Sequence, residues 1–73
     1  MYMYSLNGDL VKITCHDDDV IVGTLDCGDD VIIRLIDVDW YRVDKDIIEH
    51  ENSFLVYRDE IKTIETLKTV DMI

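Results

Sequence analysis

VKITCHDDDVIVGTLDCGDDVIIRL, residues 11–35, decides the fold of this chain. It contains three apolar runs separated by two acid-rich turns, HDDD at 16–19 and GDD at 28–30. In the first run Val11, Ile13 and Cys15 alternate with other residues, as on one face of a half-buried strand. Short turns rich in aspartate and glycine favour hairpins. The stretch therefore predicts three antiparallel strands, at Leu10–Cys15, at Val20–Cys27 and from Val31 to about Tyr41.

Gly23 lies in the middle of the second predicted strand. A glycine there weakens a strand unless the strand bends or another backbone comes close, and small barrels require such bends. The third predicted strand has large apolar residues on both faces, which suits the centre of a sheet or an interface. One face carries Ile33, Leu35 and Tyr41, and the other carries Ile32, Ile36, Val38 and Trp40.

The second half of the chain predicts two more strands. We expect a loop at Asp44–Asn52, although DKDIIEHE could form a helical turn. A fourth strand at Ser53–Tyr57, a tight turn at Arg58–Glu60 and a fifth strand from Ile61 to about Leu67 follow. The sequence predicts an all-β, five-stranded, strongly bent small barrel of the Sm, SH3 or OB kind, formed by residues 1–73 as a single domain.

The size of the chain predicts self-association. A chain of 73 residues buries only about 60% of the surface that its unfolded form exposes, although 48% of these residues are hydrophobic. A simple hairpin would place Cys15 opposite Val20 and Cys27 opposite Gly8, which separates the cysteines by about 23 Å at roughly 3.3 Å per residue. We therefore expect free thiols in a reducing compartment, and an oligomer that hides the remaining apolar surface.

Charge and hydropathy narrow the classes of function. Seventeen acidic residues and seven basic ones give a net charge of −10, and the acids are spread along the whole chain. Such a surface is poorly suited to phosphates, each of which needs a lysine or arginine. No segment reaches the ~18 apolar residues of a membrane span, and the amino terminus lacks the features of a signal peptide. We expect a cytoplasmic protein with no membrane partner, and its compact acidic character suits a phage protein in an infected cell.

Two groups of residues together resemble the Sm-like family, including its Hfq branch. In the first motif, about residues 9–41, Val11 and Gly23 bracket a 13-residue hairpin, Asp29 follows six residues after the glycine, and Ile32, Ile33 and Leu35 match the third strand. The second motif, about residues 53–67, contains LVYRDEI at 55–61. The resemblance implies a small barrel that assembles into rings and binds RNA, with an amino-terminal helix that is short or absent here. Tyr2 and Tyr4 are candidates to replace that helix.

The resemblance also implies site residues. A homo-oligomeric ring of about five to seven copies would pair strand four of one copy with strand five of the next. Its interface would comprise Phe54, Leu55, Val56 and Tyr57 against Ile61, Thr63 and Ile64. Weak binding of single-stranded RNA at the ring pore would use Arg58, with Val31, Tyr57 and Lys62 in support. The sequence departs from the family at Val31, which takes the base-stacking position, at Ile33, which takes the asparagine position, and at Asp59, where glycine or histidine is usual.

Other interpretations remain open. Arg58 could form an ion pair with an acid of a neighbouring copy. The whole chain could be an acidic protein-interaction module or nucleic-acid mimic that recruits a basic protein, or a monomeric SH3-like barrel. The acid clusters at 16–19 and 26–30 lack the ligand spacing of a calcium loop, so we expect no metal site. No nucleophile elbow, phosphate loop or paired-cysteine motif indicates an enzyme or a cofactor.

Overall fold

The computed structural model describes residues 8–67 and contains a five-stranded antiparallel sheet. The strands are β1 (Leu10–Cys15), β2 (Val20–Gly28), β3 (Ile32–Arg42), β4 (Ile47–Tyr57) and β5 (Ile61–Thr66), and a 3₁₀ turn (Arg58–Glu60) joins the last two. The order across the sheet is β4-β3-β2-β1-β5. The all-β, five-stranded prediction is confirmed. The amino-terminal helix, Tyr2 and Tyr4 concern residues outside the described range.

The β1–β2 hairpin has a three-residue turn. The Cys15 N–H donates to the Asp19 carbonyl at 2.9 Å, and the Asp18 N–H donates to the Cys15 carbonyl at 2.9 Å. Asp18 has φ of 75°, a left-handed conformation that aspartate tolerates better than most residues. Thr14 therefore pairs with Val20, so the prediction that Cys15 faces Val20 was wrong by one residue. Both thiols are free, as predicted, with Cys15 buried and Cys27 exposed.

The core lies on one face of the bent sheet and draws on all five strands. Val11, Ile13 and Cys15 are buried, which confirms the predicted face of β1. The other buried apolar residues are Ile21, Leu25, Ile33, Leu35, Val38 and Val56. Trp40, Phe54, Ile61 and Ile64 are partly buried and pack against this group. None of the helical structure within residues 8–67 is long and apolar enough to cross a membrane.

A β-bulge opposite Gly23 bends the sheet. Val22 pairs with Asp39 and Thr24 pairs with Ile36, so two residues of β3 face the single Gly23 of β2. A Cβ on Gly23 would lie 2.8 Å from Val38 Cγ2 and 3.3 Å from the Ile36 carbonyl oxygen. Gly23 thus allows the close backbone approach that the sequence predicted.

The same bulge explains the apolar residues on both faces of β3. Ile33 and Leu35 are buried before the bulge, and Val38 is buried after it. The intervening Asp37 has φ of 55°. An extra residue in a strand shifts the alternation of its side chains by one position. One strand therefore supplies core residues from odd positions in its first part and from an even position in its second.

The loop predicted at Asp44–Asn52 was wrong for most of its length, because β4 begins at Ile47. The connection is a short turn in which the N–H groups of Lys45 and Asp46 donate to the Arg42 carbonyl, at 3.1 and 2.8 Å. Pairing continues from Arg42 with Ile47 to Ile32 with Tyr57. Residues 47–52 are extended because β3 offers a partner along its whole length, whereas their own sequence has no clear alternation.

Both outer strands have an unpaired edge. Within residues 8–67, β4 pairs only with β3, and β5 pairs only with β1. Pairing of β5 with β1 runs from Val11 with Thr66 to Cys15 with Ile61. An unpaired edge exposes backbone N–H and C=O groups that another strand can bind.

Candidate nucleic-acid interface

The β2–β3 turn and the 3₁₀ turn meet at one end of the barrel. The Arg58 N–H donates to the Val31 carbonyl at 2.8 Å, and Arg58 Nε donates to the Asp29 carbonyl at 2.6 Å. Tyr57, just before Arg58, pairs with Ile32. The structure therefore brings Val31, Tyr57 and Arg58 together, and these belong to two motifs that are distant in sequence.

Asp29 organises this turn. Its Oδ1 accepts hydrogen bonds from the N–H groups of Val31 and Ile32, both at 2.9 Å. These two bonds, with a smaller contribution from the Arg58 charge, hold the pKa of Asp29 below its usual value. Asp29 thus fixes the turn with its side chain and positions the guanidinium with its carbonyl. The sequence pattern located Asp29, but it gave no sign of the carbonyl contact.

The surface around Arg58 combines its guanidinium with acidic and apolar groups. Val31 is 62% exposed and Tyr57 is 54% exposed. Asp30, Asp59 and Glu60 are exposed on the same two turns. Within the described range Arg58 forms no ion pair with a carboxylate. The site can therefore offer a guanidinium and a small apolar surface to a ligand, against a repulsive background for phosphate.

Lys62 does not belong to this cluster. Its Nζ lies 3.8 Å from Asp18 Oδ1, so it forms an ion pair with the β1–β2 turn. Both side chains are more than half exposed, and such a pair contributes little to stability. Three of the four predicted RNA-binding residues therefore lie together, and the fourth, Lys62, contacts the β1–β2 turn instead.

The predicted interface residues all lie on the two edge strands, but their side chains differ in burial. Leu55 on β4 is 58% exposed. Thr63 on β5 is also exposed. Val56 is 2% exposed and belongs to the core, so only its backbone can reach a neighbouring strand. Tyr57 is exposed as well. The remaining residues are half-buried against the core, namely Phe54, Ile61 and Ile64.

Asp19 is an important residue that the sequence interpretation missed. It is 7% exposed, and its carboxylate accepts hydrogen bonds from Trp40 Nε1 and from the Val43 N–H, both at 3.1 Å. Trp40 also packs on Phe54, with ring centroids 5.1 Å apart. Trp40 is thus partly buried and is held by contacts within the molecule. Nothing in the sequence distinguished Asp19 from the solvated acids beside it.

The acid clusters do not form a metal site in the part of the chain that the structure describes, where no three His, Cys, Asp or Glu residues are placed to hold an ion. Asp17 Oδ1 instead accepts the Asp19 N–H at 3.1 Å. Asp18 pairs with Lys62. The carboxylates of the β1–β2 turn therefore accept hydrogen bonds within the turn or form ion pairs with neighbouring residues.

Comparison with solved structures defines the fold. The chain is similar to the P. aerophilum SmAP1 heptamer (TM-score 0.78, 18% identity, covering 90% of this chain and 88% of that one). It is also similar to the Pyrococcus abyssii Sm protein in complex with a uridine heptamer (TM-score 0.76, 12% identity, 88% and 90% covered). A chain of the NatC complex bound to CoA has a TM-score of 0.73 at 20% identity, with 88% and 82% covered. The sequence matches no protein-family model and no curated protein. The chain has the Sm-like fold.

Proposed function

We propose that the chain forms a closed homo-oligomeric ring of about five to seven copies and acts as a binding scaffold rather than as an enzyme. The two unpaired edges carry this proposal, because pairing β4 of one copy with β5 of the next satisfies both. The exposed Leu55 and Tyr57 lie on the β4 edge, where such pairing would bury them. The likeness to Sm proteins solved as heptamers supports the same arrangement.

We propose further that the ring binds single-stranded RNA weakly at its pore. The contact of Arg58 with the β2–β3 turn supports this, since a ring would bring one such guanidinium per copy to the same opening. The similar Sm protein in complex with a uridine heptamer gives the ligand class. The net charge of −10 keeps the affinity low and makes it fall as salt rises.

The test combines mass and binding. Light scattering gives the molar mass at two salt concentrations, and anisotropy measures binding of a short fluorescent oligo-uridine. A ring whose uridine binding fades with salt and is lost in Arg58→Ala supports the proposal. Lys45→Ala, which removes the same charge from the β3–β4 turn, is the matched control and should bind as the wild type does. A monomer would overturn the ring, whereas a ring that does not bind uridine would overturn only the RNA site.

A second candidate function is an acidic protein-interaction module that recruits a basic partner. The net charge of −10 favours it, and so does the occurrence of a similar fold in the NatC complex. This function predicts direct binding to a basic protein and competition by nucleic acid for that protein.

For either function we propose a cytoplasmic location, which the two free thiols support. The proposal includes the cytoplasm of a phage-infected cell.

A further inference from the structure

We propose that the distal part of β4, residues 47–52, is a docking edge that binds an extended basic segment of a partner protein as an added strand. This inference locates the partner surface of the second candidate function and rests on that function. It does not depend on RNA binding at Arg58. We call residues 47–52 the distal edge.

Strand lengths leave the distal edge open even in a ring. β4 has eleven residues and β5 has six, so a neighbouring β5 can cover little more than half of β4. The proposed ring interface uses residues 54–57 of β4. Within the described part of the chain no strand pairs with the outer side of the distal edge. Its backbone groups are therefore available for strand addition, in which main-chain hydrogen bonds supply affinity and side chains supply specificity.

Apolar side chains are exposed at the same place. Ile48 is 69% exposed, Ile47 is 42% exposed, and Val43 in the adjoining turn is 43% exposed. Tyr41 and Arg42 of β3 pair with Ile48 and Ile47, so these residues lie together at the end of the β3–β4 hairpin. A partner that covers them gains the free energy of apolar burial, about 25 cal/mol per Å².

The charge of the hairpin selects a basic partner. Residues 37–51 contain six acids and only two lysines or arginines. Glu49 and Glu51 lie on the distal edge itself. Nucleic acid is repelled by this surface. A second copy pairing edge to edge would bring these glutamates close to their equivalents, which destabilises cross-strand pairs. A segment that alternates lysine or arginine with apolar residues can pair its cations with the glutamates and pack its apolar side chains on the exposed isoleucines.

Contacts within the hairpin hold the distal edge in place before any partner arrives. Tyr41 Oη donates to Asp46 Oδ1 at 2.9 Å across the turn. The Arg42 guanidinium lies 4.5 Å from the Trp40 ring centroid and 3.9 Å from Glu49. Asp19 fixes Trp40 and Val43 from the β1–β2 side. A preformed edge reduces the entropy lost on binding.

The test uses a capped peptide of alternating lysine and valine, with binding measured by calorimetry and mapped by backbone amide NMR. We expect shifts confined to the distal edge and its turn. Glu51→Lys and Ile48→Lys should each weaken binding at least about tenfold. Asp30→Lys makes the same change in charge at the opposite turn, and Leu10→Lys replaces another exposed aliphatic side chain with lysine at the start of β1. Both should bind the peptide as the wild type does. The same peptide with every second amide N-methylated should not bind, because it cannot form the ladder.

Three outcomes would overturn the proposal. These are equal weakening by Glu51→Lys and Asp30→Lys, undiminished binding of the N-methylated peptide, or shifts that map elsewhere. Binding of polylysine distinguishes failure of the docking-edge proposal from failure of the second candidate function. If the wild type binds polylysine but the peptide does not map to the distal edge, the acidic module stands and the docking edge is wrong. If the wild type binds neither, the second candidate function is wrong as well.

Discussion

At the residue scale, Gly23 occupies a position where a side chain has no room. Gly23→Ala would place a methyl group 2.8 Å from Val38 Cγ2 and close to the β3 backbone. We expect a loss of about 1–3 kcal/mol in the free energy of unfolding, measured by urea denaturation. Gly28→Ala is the matched control, since its Cβ would meet Ile33 Cγ1 at an ordinary 3.4 Å. Equal effects of the two substitutions would contradict the close-approach explanation.

The two cysteines should differ strongly in reactivity. Burial, and then the charges of Asp17, Asp19 and Glu60, raise the pKa of the Cys15 thiol to about 11. The thiolate is the reactive species, and Cys27 is exposed. A chromogenic disulfide reagent at neutral pH should therefore label Cys27 rapidly and Cys15 only on unfolding. Cys27→Ser should abolish the fast phase and Cys15→Ser should keep it. A fast phase that survives Cys27→Ser would show that Cys15 is accessible.

The sequence could predict residues whose role is set by local pattern. Alternation placed Val11, Ile13 and Cys15 in the core, and the position of Gly23 predicted the bend. The sequence could not predict that Asp19 is buried, because its burial depends on Trp40 and Val43, more than twenty residues away. For Arg58, the family pattern placed it near Val31, whereas the Asp29 carbonyl that orients it became visible only in three dimensions.

At the element scale, β4 shows where sequence patterns fail. The sequence predicts a loop over residues 47–52 because IIEHEN has no regular alternation. Their extended conformation comes from the β3 ladder, which is a non-local cause. The first three strands and the 3₁₀ turn were predictable because the turns are short and contain aspartate, with glycine as well in GDD at 28–30.

His50 links β3 and β4 in a way that depends on pH. Its Nδ1 lies 3.0 Å from Asp39 Oδ1, and its Nε2 lies 3.3 Å from Asp37 Oδ1. The hydrogen bond with Asp39, followed by the charges of nearby acids, raises the pKa of His50 above its usual value of 6.5. A raised pKa stabilises the folded state fully below the unfolded pKa, and this contribution disappears as the pH rises through the folded pKa.

His50→Gln should therefore lower the urea midpoint more at about pH 5.5 than at about pH 8.5. Asp39→Asn removes the main partner and should reduce the same pH dependence. His16→Gln, in the β1–β2 turn, is the control for loss of a histidine outside this contact. A His50→Gln effect of equal size at both pH values would rule out the ionic contribution.

At the scale of the whole molecule, the proposed ring depends on the two unpaired edges. Leu55→Lys places a charge on the exposed part of β4 that the ring would bury. We expect this variant to lose the ring mass in light scattering while it keeps the β-sheet circular dichroism of the wild type. Ile48→Lys introduces the same charge on the same strand but outside the ring interface, and it should keep the ring mass. Dissociation of both variants to the same extent would contradict the interface at residues 54–57.

The pairing of β5 with β1 also has a consequence for folding kinetics. β1 and β2, β2 and β3, and β3 and β4 are hairpin neighbours, whereas β5 must return to a strand that begins at residue 10. Contacts of such long sequence separation form slowly, because the closure of a long loop precedes any gain from them. The hairpins should therefore form early, and the docking of β5 should complete the monomer. Because the same strand would then receive the next copy, the last step of folding would also be the step that makes the subunit competent to form the proposed ring.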